Sequence, residues 1–286
     1  MDDRLNIQWY PGHMTKARRM MAESLSAVDV LCEVLDARIP DASRNPDIDS
    51  LAGEKPRMIV LNRTDLADPV ATKAWRHHLE SIGFTVIETD ARSGRGAAAF
   101  SSAVRNLMSE KLDAWRQRGQ TGRKIRVMVA GIPNVGKSTL INRLAGRKAA
   151  AAGDRPGVTR GRQWITVDGS FELLDTPGIL WPKFENPETG ELLAVTNAVR
   201  AEILDREALA SSFLIRLCRY YPDAVRERYR IEPDITKNGY CLLEEAAARR
   251  GFLARGGEAD TERMANTLLT EYHSGKLGRL TLEWPA

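Results

Sequence analysis

Three early stretches of the chain are short and almost wholly apolar: Val28–Leu35 (VDVLCEVL), Arg57–Asn62 (RMIVLN) and Phe84–Thr89 (FTVIET). Continuous apolar runs of this length predict strands buried on both faces. Val70–Ser81 and Ala97–Arg118 carry helix-spaced apolar positions, and strands alternating with helices predict a mostly parallel sheet. A polar, basic loop at Gln117–Lys124 precedes a further buried strand, IRVMVAG, and a helix is expected from Lys137 to about Leu144. A Gly/Pro/Arg-rich loop at Gly153–Gly161 follows. WITVDGSFELLD then predicts a hairpin turning at Asp168-Gly169, which puts Asp175 at the end of a strand. Beyond Gly178 the pattern changes. WPKFENPETGE is rich in Pro, Gly and acids, and later segments have helical periodicity at Arg206–Tyr221, Gly239–Arg250 and Asp260–Ser274. The expected architecture is an α/β domain over 1–185 followed by a small all-α domain over 186–286.

With 286 residues, 43% of them hydrophobic, the chain is long enough for these two domains. Its 42 Lys+Arg against 38 Asp+Glu give a net charge of +4, which permits an anionic partner without demonstrating one. Cys32, Cys218 and Cys241 form no CxxC pair, so neither a disulfide framework nor a zinc site is expected, and a reducing compartment fits. The N-terminal residues lack an apolar core segment and no run is long enough to span a bilayer. The expectation is a soluble, cytoplasmic monomer.

Candidate chemistry begins with Gly131-Ile132-Pro133-Asn134-Val135-Gly136-Lys137-Ser138, a GxxxxGK[ST] sequence between a predicted strand and a predicted helix. Glycines in such a loop let backbone N–H groups converge on phosphate oxygens at a helix N-terminus. Lys137 is expected on the β and γ phosphates and Ser138 on Mg²⁺, with Val135, Gly136 and Thr139 among the nucleotide contacts. Downstream, Asp175-Thr176-Pro177-Gly178 supplies a carboxylate for Mg²⁺ and, at Gly178, an N–H for the γ-phosphate. Thr159, in PGVTRG, is the candidate switch threonine over Mg²⁺.

Base choice rests on Asn62-Arg63-Thr64-Asp65. The Asp65 carboxylate can accept from N1 and N2 of guanine, and adenine would leave it unpaired. Asn62 is read as a loop organiser that can also reach the base, and the stem of Arg63 as a cover for its face. A further loop, Thr89-Asp90-Ala91-Arg92, offers the Ala91 N–H to guanine O6, with Arg92 beside it. A plain turn with a helix cap is the competing reading of NRTD. A metabolic P-loop kinase, or a nucleotide-dependent binding protein with little catalysis, are the rival functions. NRTD together with DTPG argues against the kinase.

The loop order NRTD, DAR, GIPNVGKST, PGVT, DTPG resembles that of the circularly permuted GTPases. WYPGHM at Trp9–Met14, DARIPDASRNP at Asp36–Pro46 and the late GKLGRLTLE are similar to the ribosome biogenesis GTPase A family. The resemblance implies binding of GTP and GDP and assembly of the large ribosomal subunit, with the helical part contacting rRNA. Ile179 stands where Ras-type enzymes place a water-orienting glutamine, and the resemblance implies His13 for that role. From the residues alone, His13 equally caps a helix starting near Met14. Asn134 is the residue that in related GTPases helps hold K⁺, so K⁺ joins Mg²⁺ as an expected cofactor. Arg216, Arg219, Arg226, Arg228 and Arg230 are candidates for a phosphate-facing stripe.

Overall fold

In the computed structural model, residues 12–120, 122–150, 163–167, 169–199 and 205–285 are described. Helix α1 (Gly12–Leu25) leads into strand β1 (Val30–Asp36), and α2 (Pro46–Ala52) joins β1 to β2 (Arg57–Asn62). After α3 (Pro69–Ser81) and β3 (Thr85–Glu88) come α4 (Ala99–Leu107) and α5 (Ser109–Gln117). Strand β4 (Ile125–Ala130), α6 (Lys137–Ala145), β5 (Gln163–Val167) and β6 (Phe171–Asp175) complete the first unit. The sheet order is β3-β2-β1-β4-β6-β5, parallel except where the β5–β6 hairpin makes an antiparallel edge.

Alternation of side chains across this register decides which residues share a face. Leu31 lies beside Met128, and Met128 beside Leu174. Met21 and Leu25 of α1 and Ile48 and Ala52 of α2 pack on these three. Farther along, Leu35 pairs with Leu61, and Ile59 and Val86 join them under Trp75 and Leu79 of α3. Each fully buried aliphatic side chain contributes roughly 1.5–3 kcal/mol relative to exposure. The parallel strands thus end together, at Asp36, Asn62, Glu88, Ala130 and Asp175, on the edge where a ligand site is expected in an open α/β sheet.

The long helix predicted over Ala97–Arg118 is two helices. The break falls at Met108 (φ −103°, ψ 8°), whose N–H bonds back to the Val104 and Arg105 carbonyls, and Met108 is buried where the chain changes direction. Helix α1 includes the helix expected to start near Met14, whereas α2 was not predicted. The second is set by Asn45, whose side chain accepts from the Asp47 N–H, and by Pro46 in the first turn.

The second unit is helical: α7 (Pro187–Val195), α8 (Arg206–Tyr220), α9 (Pro222–Tyr229), α10 (Gly239–Arg249) and α11 (Thr261–His273). Its core is α8 packed on α10 and α11 through Phe213, Leu214, Leu217, Leu243, Ala247, Leu268 and Tyr272. The Glu271 carboxylate is the polar centre of this unit. It accepts from Arg228 through both Nε (3.0 Å) and Nη2, from the Tyr229 hydroxyl (2.9 Å) and from Arg250 Nη2 (2.5 Å). Burial pushes its pKa up, and these hydrogen bonds more than offset that, bringing it to about 2.

This unit spans Phe184–Leu282, so the division falls just before the expected Glu185 and the last residues do not belong to it. From Glu283 the chain is part of the first unit. The Glu283 carboxylate accepts from the Asp41 and Ala42 N–H groups (3.0 and 3.1 Å), and its carbonyl accepts from Trp75 Nε1 (2.9 Å). Among the described residues, no helix is long and apolar enough to cross a membrane.

Candidate active site

The glycine loop leaves β4 at Gly131 and enters α6 at Lys137. At Gly131 (φ 145°) a Cβ would fall 2.5 Å from the Val34 carbonyl oxygen, and at Gly136 (φ 101°) one would fall 2.3 Å from Asn62 Nδ2. Only glycine fits at either position, so β1 and β2 both press directly on the loop. The Lys137 ammonium is buried and donates to the Gly131 and Ile132 carbonyls (3.1 and 2.7 Å). Burial pulls its pKa down to about 8, with Asp175 opposing the shift. Ser138 Oγ donates to Asp175 Oδ2 (3.2 Å). Thr176 Oγ1 donates to the Val129 carbonyl (2.8 Å), which ties the DTPG segment to β4. Gly178 lies against Pro133, where a Cβ would come 2.6 Å from Pro133 Cα. The Val135 side chain is buried, and Thr139 is half-buried on α6.

The Asn62 side chain joins three loops. Its Nδ2 donates to the Val135 carbonyl (2.8 Å), and its Oδ1 accepts from Thr89 Oγ1 and from the Ala91 N–H (both 3.1 Å). Asn62 is therefore committed as an organiser, and the Ala91 N–H expected for the base is engaged by its Oδ1. Arg63, in the left-handed region at φ 62°, sends Nη2 to the Asn134 carbonyl (2.5 Å), and Asn134 itself has φ 58°. The NRTD turn does not cap the following helix. Asp68 does so, accepting from the Val70 and Ala71 N–H groups (2.7 and 3.3 Å). Asp65 stands half-buried in the turn ahead of it.

The neighbouring base loop is an Asp-centred turn. Asp90 Oδ1 accepts from the Arg92 and Ser93 N–H groups (3.0 and 3.2 Å), while Oδ2 accepts from Ser93 Oγ (2.5 Å). Gly96 (φ 79°) fits because any Cβ would meet the Glu88 carbonyl at 1.9 Å.

One feature that motif reading passed over is the buried pair Asp36–Arg38. Arg38 donates to the carboxylate through Nε (2.9 Å) and Nη2 (2.7 Å), and the Arg63 Nε lies 3.6 Å from the same carboxylate. Burial pushes the Asp36 carboxyl up, but the Arg38 charge and hydrogen bonds outweigh it, and Arg63 adds to them, so its pKa lies below the usual range. Asp36 thus anchors the guanidinium that spans the glycine loop. The signal was available in the DAR sequence at the end of the first apolar run.

Ile179 is buried against Met128 and Leu174, and its aliphatic side chain has no polar atom to orient water. The backbone of His13 lies in α1, but its side chain and all of Thr159 fall outside the described residues. In the helical unit the arginine stripe is largely neutralised. Arg216 pairs with Glu188, Arg226 with Asp223 and Glu232, and Arg228 with Glu271, while Arg219 and Arg230 are exposed.

A parallel α/β sheet with a lysine-bearing glycine loop, an Asp-ended DTPG strand and an NxxD turn packed on that loop defines a P-loop GTPase. A family model described as 50S ribosome-binding GTPase matches residues 126–226. The ribosome biogenesis GTPase A of Priestia megaterium is 44% identical over 283 residues, covering 99% of this chain and 98% of that protein. The chain belongs to the ribosome biogenesis GTPase A family. Solved structures agree: GDP-bound YlqF has a TM-score of 0.65 at 28% identity, covering 92% of this chain and 97% of that one. GNP-bound YlqF from Thermotoga maritima has a TM-score of 0.63 at 28% identity, covering 94% and 98%.

Proposed function

We propose that this GTPase acts in assembly of the large ribosomal subunit in the cytoplasm, its bound nucleotide controlling docking on the precursor particle and the particle stimulating hydrolysis. The Asn62 side chain carries the nucleotide half of this reading. It links the early NRTD turn, the Ala91 loop and the later glycine loop, the arrangement a circular permutation requires if one guanine nucleotide is to touch all three.

In this reading Asp65 accepts from guanine N1 and N2, the stem of Arg63 covers the base, and the Ala91–Arg92 backbone borders O6. Asn134, Val135, Gly136 and Thr139 line the phosphates with Lys137, whose ammonium pKa, held down to about 8 by burial, shifts back up when phosphate oxygens replace carbonyls as partners. The hydroxyl of Ser138 and the carboxylate of Asp175, already hydrogen-bonded to each other, are the hard oxygen donors that suit Mg²⁺. When bound, that ion neutralises charge on the transferring phosphate. Thr159 is the switch threonine that would close over Mg²⁺, the Gly178 N–H senses the γ-phosphate, His13 positions the attacking water, and Asn134 holds K⁺. Because Ile179 cannot polarise water, the isolated protein hydrolyses GTP slowly, and turnover rises once a partner orders the remaining groups. The helical unit, through Arg219, Arg230 and neighbouring groups, is the proposed rRNA contact, in line with the family description and the relatives' names.

Co-sedimentation with large-subunit precursors tests the proposal. Retention in a non-hydrolysable GTP analogue and release in GDP are expected, together with faster GTP turnover when particles are added. Equal retention in both nucleotides would contradict it. Exchange of KCl for NaCl should lower turnover, and a flat response would remove K⁺ from the scheme.

A further inference from the structure

Helix α6 carries Lys137 and Ser138 at its start and Arg143 in its last turn. Arg143 is exposed, yet its guanidinium turns back onto the neighbouring loop. Nη2 donates to the Arg92 carbonyl, and Nε lies 3.5 Å from the Ala91 carbonyl. Its stem lies over Gly94 (φ 87°), where an ideal Cβ would come within 2.9 Å of Arg143 Cδ. Residue Ala91 is therefore held at both ends. Asn62 Oδ1 takes its N–H from the sheet side, and Arg143 approaches its carbonyl from the helix that bears the phosphate ligands. A charged donor on a carbonyl makes a stronger hydrogen bond than a neutral one, and a guanidinium can serve two carbonyls at once where an ammonium is a point charge.

We propose that Arg143 is a positioning residue for guanine discrimination: it fixes the Ala91–Arg92 backbone at the base from the far end of the phosphate-binding helix. The proposal rests on this edge of the sheet being the guanine-nucleotide site.

The test is the affinity and dissociation rate of GDP and ADP, measured on the full chain and on Arg143→Ala, Arg143→Gln and Arg143→Lys. Arg143→Ala is expected to speed GDP release and weaken GDP about tenfold, the equivalent of one charge-assisted hydrogen bond. ADP, which draws on the phosphate contacts alone, should change less than twofold, so the guanine-to-adenine ratio falls. Arg143→Gln and Arg143→Lys should lie between wild type and alanine, and they carry the test if the alanine variant does not fold. Unchanged GDP release in any folded variant, or equal loss of GDP and ADP, would overturn the proposal. Failure of the wild-type chain to prefer GDP over ADP would instead overturn the site assignment beneath it.

Discussion

Asn62 and Lys137 show how single side chains decide the state of this site. Asn62→Ala removes three hydrogen bonds inside the fold and leaves the Val135 carbonyl and the Ala91 N–H buried, at a cost of roughly 1–3 kcal/mol for each unsatisfied group. Loss of detectable nucleotide binding and a melting temperature lower by several degrees are expected, and wild-type melting by calorimetry would count against the organiser role. Lys137 has the opposite character, since its pKa falls from 10.5 to about 8 on folding. Between those values the unfolded chain binds a proton that the native one does not, so stability of the nucleotide-free protein should rise as pH goes from 8 to 10. Lys137→Met should lose that rise along with nucleotide binding. A pH series of denaturant melts in which both proteins behaved alike would show that the ammonium is not buried without ligand.

At the scale of elements, the helical unit depends on the Glu271 hub linking α9, α10 and α11. A carboxylate depressed from 4.5 to about 2 contributes stability that is present above pH 4.5 and lost as pH falls toward 2. Glu271→Gln should destabilise the protein by roughly 2–3 kcal/mol at pH 7 and flatten that acid limb, because it leaves two arginines facing a neutral amide. Urea melts at pH 7 and pH 3 measure both effects, and a variant as stable as wild type at pH 7 would show the hub to be solvated. The strands and the hairpin were legible because continuous apolar runs and the Asp-Gly turn have few competing explanations. The α8, α10 and α11 positions were equally clear from their period. Four helices begin at X-Pro steps: Asn45-Pro46, Asp68-Pro69, Asn186-Pro187 and Tyr221-Pro222. Reading the Pro-rich WPKFENPETGE as a break hid α7, and the short α2 and α9 carried no helical period that was read, whereas α3 was found because its apolar period continues well past Pro69. The break at Met108 had no Gly or Pro to announce it. Within the site, the glycine loop and NRTD were legible as motifs. The Asp36–Arg38 pair lay in the DAR sequence but matched no nucleotide motif, and Arg143 was not legible because its partners are carbonyls distant in sequence.

Across the whole molecule, the NRTD turn, the Ala91 loop and the glycine loop meet in space although the first two precede the third along the chain. The fold makes this natural: β1, β2, β4 and β6 are adjacent parallel strands whose ends converge, whatever order the chain visits them in. At the same scale, His13→Ala should keep GTP affinity and lose turnover, with or without ribosomal particles, whereas Lys137→Ala should lose binding. Equal loss of affinity in both would make His13 a structural residue. The most direct measurement of the central claim is the nucleotide preference of Asp65→Asn. Placing an amide opposite the base position that carries the guanine N2 amine should invert selectivity, with xanthosine nucleotides bound more tightly than guanosine nucleotides and Mg²⁺ dependence retained. Undiminished GTP affinity, with no gain for XTP, would mean that the early turn does not read the base held by the later glycine loop.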